Sequence, residues 1–182
     1  TDMNSVSIGI ELDNSGVDTF TIAQLNVLEA LLIKLKMEYN IPAANFIGHA
    51  DVAPTRKTDP NVYFPWKYFA ERGFGLWYDD TANIKLPQGF NPVLALKIIG
   101  YDVKNTDAAI EAFRRHFLAK ETKGTLSNGE KKVLYALMQK CLQRVIFCFQ
   151  VFKSCMSSSS FFSSSTNLIG SVSSLVHFMS RI

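Results

Sequence analysis

Residues 45–60 read NFIGHADVAPTRKTDP. The opening run Asn45-Phe46-Ile47-Gly48-His49 is short and apolar, and predicts a strand that delivers His49 at its carboxyl end. A long loop punctuated by Pro54, Pro60 and Pro65 follows, and it carries Lys57 and Asp59. A strand that ends on a histidine and runs into such a loop predicts an α/β scaffold, in which the sheet fixes the backbone and polar groups beyond the strand end meet solvent.

Upstream, SVSIGIEL (5–12) alternates cleanly, with Val6, Ile8, Ile10 and Leu12 on one face and Ser5, Ser7, Gly9 and Glu11 on the other. This predicts a strand with one buried face. The opposite face is small and polar and ends in a carboxylate, which suits the floor of a cleft; a solvated edge-strand glutamate fits the same pattern. After the turn-rich DNSGVD, Thr21 and Gln24 form a capping box and Phe20 with Leu25 a hydrophobic staple. The helix they open carries Ile22, Leu25, Leu28, Leu32 and Leu35 as its apolar stripe and stops at Asn40 before Ile41-Pro42. Downstream, NVYFPWKYFAERGFGLWY (61–78) predicts a short aromatic-rich helix ending near Gly73.

A polar break at DDTAN separates this unit, residues 1–80, from a second one over 85–140. Its three helices are expected over PVLALKIIG, over TDAAIEAFRRHFLA with Ile110, Phe113 and Phe117 on one stripe, and over SNGEKKVLYALMQ, where Ser127 and Glu130 make a capping box. So small a helical module is marginal alone. From Cys141 to Ile182 the texture changes to a serine- and phenylalanine-rich stretch without acids or a settled period. It reads as a disordered tail rather than a membrane span, because Lys153 interrupts the first apolar run and serines dilute the rest.

Composition narrows the function classes. The chain has 182 residues, 47% of them apolar, which allows one full domain and a second small one. Its net charge of +3 comes from Arg144, Lys153 and Arg181 in the tail, so residues 1–140 are neutral. A neutral body lacks the clustered Lys and Arg of a phosphate-tracking surface, and nucleic acid is excluded as a partner. Cys141, Cys148 and Cys155 all lie in the tail, leaving the body without disulfide or thiol chemistry. The chain begins at Thr1 without a basic-then-apolar leader, so no signal peptide is visible and the start looks cut.

Histidine and aspartate suit Zn²⁺, and a catalytic zinc takes three protein ligands plus water; His49 and Asp59 could supply two. Lys57 could stabilise an oxyanion at the rim of the same site. Glu11 is the candidate to take a proton from metal-activated water and pass it to a leaving nitrogen. The same spacing is compatible with Asp59 acting only as a turn former before Pro60.

SVSIGIELDN, FTIAQLNVLEALL and IPAANFIGHADVAPTRKTDPNVYFPW together resemble the second half of the zinc-dependent N-acetylmuramoyl-L-alanine amidases of the amidase-2 family, AmiD and AmpD type, which share their fold with peptidoglycan recognition proteins. The likeness covers residues 4–78, and GYDVKNTDAAIEAFRRHF resembles a peptidoglycan-binding helical module. It implies a mixed central sheet flanked by helices, Zn²⁺ on His49 and Asp59, Glu11 as general base and acid, and Lys57 on the tetrahedral intermediate. It also implies hydrolysis of the amide between the lactyl group of N-acetylmuramic acid and L-alanine, peptidoglycan or muropeptides as partner, no membrane partner, a monomer, and a place in the cell envelope or periplasm.

The departure is at the front. In the family the first zinc ligand is a histidine on an upstream strand, which a chain starting at Thr1 lacks. His116 reads as a packing or surface residue, and His177, in the unmatched tail, has no better claim. Weak zinc binding and low activity are therefore expected. A muropeptide-binding protein without catalysis is the rival, although a pure binder has no need of Glu11, Lys57 and Asp59 together. A fragment or degraded gene with neither function is the third possibility.

Overall fold

Strand β1 (Ser7–Asp13) keeps the alternation of its sequence: Ile10 is buried, while Gly9 and Glu11 on the other face are exposed. The computed structural model describes residues 6–157 and 175–181. Helix α1 (Ile22–Tyr39) begins at the expected capping box, with the Gln24 N–H donating to Thr21 Oγ1 at 3.2 Å and the Thr21 N–H donating to Gln24 Oε1 at 3.0 Å. It ends at Asn40 in the left-handed region, φ 50°, a stop that asparagine tolerates. The stripe starts later than expected. Leu28 and Leu32 are buried, but Ile22, the first helical residue, precedes the turns that reach the core and is 77% exposed.

A single 3₁₀ turn over Ala43–Asn45 leads into β2 (Phe46–Gly48), and His49 opens the one-turn helix α2 (His49–Val52). The segment expected to be a loop from Ala50 onward thus starts helically. Helix α3 (Trp66–Glu71) lies in the aromatic stretch, and the chain leaves it through Gly73 at φ 84°. Ile10, Phe20, Leu28, Leu32, Ile41, Phe46, Phe64, Trp66, Phe69 and Phe74 form one buried cluster. Phe20 and Phe64 meet edge to face at 5.4 Å, as do Phe46 and Phe74 at 5.3 Å, the geometry that the ring quadrupole favours.

The second cluster belongs to three further helices, α4 (Pro92–Ile99), α5 (Thr106–Leu118) and α6 (Asn128–Ser157). Asn91 caps α4 by accepting from Val93 and Leu94, Asn105 caps α5 through Ala108, and the expected Ser127/Glu130 box opens α6. Arg114 of α5 is 3% exposed and grips Glu130 with two hydrogen bonds of 2.9 and 3.1 Å. Its remaining donors go to the carbonyls of Thr122, Gly124 and Thr125. A buried guanidinium is tolerated because its donors are satisfied.

Two parts of the segment expected to be a disordered tail have regular structure. Helix α6 does not stop at 140 but continues to Ser157, since each added residue of a helix already nucleated gains a hydrogen bond. Residues Leu175–Arg181 form β3, which runs parallel to both β1 and β2 and lies between them. A strand flanked on both sides pairs its backbone groups fully, and LVHFMSR is rich in strand-favouring side chains. Both pairings among the described residues are parallel. No helix among them is long and apolar enough to cross a membrane.

Candidate active site

The two short strands and the loop after β2 bring His49 and Asp59 together. His49 Nδ1 lies 2.9 Å from Asp59 Oδ2, with the histidine side chain 17% and the aspartate side chain 9% exposed. The loop is closed by its own backbone: the Ala50 N–H donates to the Asp59 carbonyl at 2.8 Å, and the Lys57 N–H donates to that of Ala53 at 3.0 Å. Ten residues of separation thus collapse to one hydrogen-bond length. A nitrogen and a carboxylate oxygen this close fit a single zinc ion, whose bonds to such donors are about 2.0–2.2 Å. Among the described residues no group of three or more His, Cys, Asp or Glu side chains converges.

Glu11 is placed by register. Ile10 and Gly48 both pair with residue 178 of β3, so Glu11 follows one of these paired residues and His49 the other. Glu11 is exposed, and no hydrogen bond or ion pair engages its carboxylate among the described residues. Lys57 is half-buried two residues before Asp59, likewise without a side-chain partner among the described residues. The structure therefore joins His49 to Asp59 directly, sets Glu11 on β1 one residue beyond Ile10, and leaves Lys57 beside Asp59 in sequence without a hydrogen bond or ion pair between them among the described residues.

Several polar residues that sequence reasoning passed over hold this arrangement. Buried Asn61 donates to Asn14 Oδ1 at 2.9 Å and to the Asp18 carbonyl at 3.1 Å, tying the loop after Asp59 to the connection after β1. Asp51 accepts from the Gly48 N–H at 2.7 Å and from the Tyr101 hydroxyl at 2.6 Å, and meets His116 Nδ1 at 2.6 Å. Burial, and then the Asp51 carboxylate, push the Tyr101 hydroxyl well above its ordinary pKa, so it stays a donor. Gly48 is required here: a Cβ would come within 2.9 Å of Asp51 Oδ2 and 3.2 Å of Trp66 Cζ2. The three-residue spacing Gly48 to Asp51, half of a capping box, was the available signal; for Asn14 and Asn61 the sequence offers none.

His116 is 6% exposed, with its ring stacked on Trp66 at 3.8 Å and on Phe117 at 4.1 Å. It is a packing residue as to its faces, but its edge is bonded to Asp51. His177 stands on the middle strand β3, level with Gly9 and Ile47. A cavity of about 570 Å³ lies at the junction of β2 with α5, lined among others by Ile47, Asp51, Tyr101 and His116 but not by Glu11, His49 or Asp59.

Parallel strands with polar groups at their carboxyl ends, and a histidine–aspartate pair in contact beyond β2, define a candidate site of α/β type. Residues 1–62 match the family model for N-acetylmuramoyl-L-alanine amidase, Amidase_2. The chain is 34% identical over 169 residues to the N-acetylmuramoyl-L-alanine amidase AmiD of Escherichia coli K12, covering 77% of this chain and 59% of AmiD. It is 44% identical over 66 residues to the 1,6-anhydro-N-acetylmuramyl-L-alanine amidase AmpD of Enterobacter cloacae, 36% of this chain and 35% of that protein.

Solved structures agree. AmiD from E. coli, in complex with the substrate anhydro-N-acetylmuramic acid-L-Ala-D-γ-Glu-L-Lys, superimposes with a TM-score of 0.57 at 30% identity, over 67% of this chain and 53% of that one. AmpDh3 of Pseudomonas aeruginosa in complex with anhydromuramic pentapeptide gives 0.59 at 30% identity, over 71% and 58%. The chain thus spans less than two thirds of the length of these relatives.

Proposed function

We propose that this chain carries the catalytic part of an N-acetylmuramoyl-L-alanine amidase, acting on the amide between the lactyl group of N-acetylmuramic acid and the L-alanine of a muropeptide. The observation that carries the proposal is the approach of His49 Nδ1 to Asp59 Oδ2, 2.9 Å apart and largely buried. His49 and Asp59 would hold Zn²⁺, which when bound supplies Lewis-acid activation of water and of the amide carbonyl. Glu11 takes a proton from the attacking water and returns it to the leaving L-alanine nitrogen. Lys57 brings an ammonium to the oxyanion that develops.

A third protein ligand is expected of a catalytic zinc. Residues 85–140 are proposed as a peptidoglycan-binding module, on their resemblance alone. The experiment is direct. The chain, loaded with zinc, is incubated with an anhydromuropeptide of the kind bound by the AmiD and AmpDh3 structures, and release of the L-alanine-headed peptide is followed by mass spectrometry. Release by the wild type and its loss in Glu11→Gln support the proposal; substrate binding without release supports the non-catalytic binder instead.

A further inference from the structure

We infer that the helical module positions the metal-binding residue His49, acting through Asp51. This rests on His49 being the zinc ligand of the proposed amidase. One carboxylate, in the single turn of α2, takes three hydrogen bonds from three directions. Tyr101, just after α4, and His116, in α5, bond to it at 2.6 Å each, and the Gly48 N–H bonds to it at 2.7 Å. Gly48 is the residue directly before His49. The bonds therefore run from the module, through Asp51, to the backbone that aims the imidazole.

The module's side of this arrangement is fixed from several sides. Tyr101 is 6% exposed, and its donor has no partner other than Asp51 among the described residues. The His116 ring is set by stacking on Trp66 and Phe117, and its buried Nε2 has no hydrogen-bond partner among the described residues. Its one polar tether is Asp51, so the ring and the carboxylate orient each other. Trp66 belongs to the core that also holds β1 and α1, and its ring and the Asp51 carboxylate both crowd the space where Gly48 would carry a Cβ. Docking alone would not need such a site. The module is also held elsewhere, by Lys140 donating to the Trp77 carbonyl and Asp79 Oδ1 at 2.9 Å each, and nothing in that contact touches the segment bearing His49.

The consequence is that loss of the Asp51 bonds should loosen the metal ligand, whereas loss of the Lys140 bonds should only weaken docking. Supporting groups behind a metal ligand typically matter by about 10–100-fold in affinity. The test compares the wild-type chain with Tyr101→Phe, His116→Phe, His116→Asn and Lys140→Ala by two readouts: amide hydrogen exchange at Gly48, and zinc affinity measured against a chromophoric chelator. Tyr101→Phe and His116→Phe should each speed Gly48 exchange at least about tenfold and raise the zinc Kd about 10–100-fold. His116→Asn, which keeps a donor near the Nδ1 position, should recover most of both, and Lys140→Ala should change neither.

Unchanged Gly48 exchange in Tyr101→Phe, or an equal effect from Lys140→Ala, overturns the inference. If His116→Phe fails to fold, Tyr101→Phe, which removes a single oxygen, decides. If the wild type takes up no zinc, the amidase proposal fails on that result, while Gly48 exchange still judges the positioning role by itself.

Discussion

His49 and Asp59, ten residues apart in sequence, meet at 2.9 Å because the loop between them is clamped at its base by the Ala50 N–H on the Asp59 carbonyl. Two proposed ligands held before any ion arrives cost less to order on binding than two that must be gathered from a mobile loop. Removing either should therefore cost more than removing a supporting group. His49→Ala and Asp59→Ala are each expected to weaken zinc binding beyond the roughly 100-fold that marks the upper range for such groups, as read by isothermal titration. A variant that still binds one zinc at wild-type affinity would remove that residue from the ligand set.

Glu11→Gln tests a different quantity. The amide keeps the shape but has no base, so zinc content and muropeptide binding should persist while turnover falls about 10²–10⁴-fold. Turnover within a few-fold of wild type would assign the proton transfer elsewhere.

The Arg114–Glu130 pair makes stability depend on pH. The Arg114 guanidinium is the main cause that holds the Glu130 carboxyl at about 2, down from 4.5. A carboxylate with a lowered folded-state pKa stabilises the fold fully above its unfolded pKa, and that contribution is lost as pH falls from about 4.5 towards 2. Urea melts at pH 6 and pH 3 should show the difference shrink in Glu130→Gln, which at pH 6 leaves a buried guanidinium without its partner, a loss of about 3–5 kcal/mol. An identical pH dependence in wild type and variant would remove Glu130 as its source.

Asn61→Ala removes the donor shared by Asn14 and the Asp18 carbonyl, together with the acceptor of the Tyr63 N–H. Leaving buried polar groups unsatisfied costs about 1–3 kcal/mol, and exchange at Tyr63 should quicken. A loss under about 0.5 kcal/mol, the usual surface value, would show that water replaces the side chain there.

Local rules written in the sequence settled much of the fold. Alternation in SVSIGIEL gave β1 and put Glu11 opposite the core, because side chains of a strand alternate whatever packs on them. The capping residues Thr21 and Ser127 marked helix starts because a cap satisfies backbone donors a few residues away. The motif from Gly48 to Pro60 named His49, Lys57 and Asp59, and its chemistry suggested the metal.

Tertiary structure decided what depends on partners distant in the chain. The placement of Leu175–Arg181 between β1 and β2 is a choice of neighbours, which a strand pattern does not encode. The continuation of α6 beyond residue 140 reflects helix cooperativity rather than amphipathic period. The carboxylate of Asp51 gained its meaning only when folding brought Tyr101 and His116 to it, from 50 and 65 residues away. The sequence by itself determined which groups could do the chemistry; the fold decided which of them stand together, because hydrogen bonds and ligand sets are short-ranged in space and indifferent to separation along the chain.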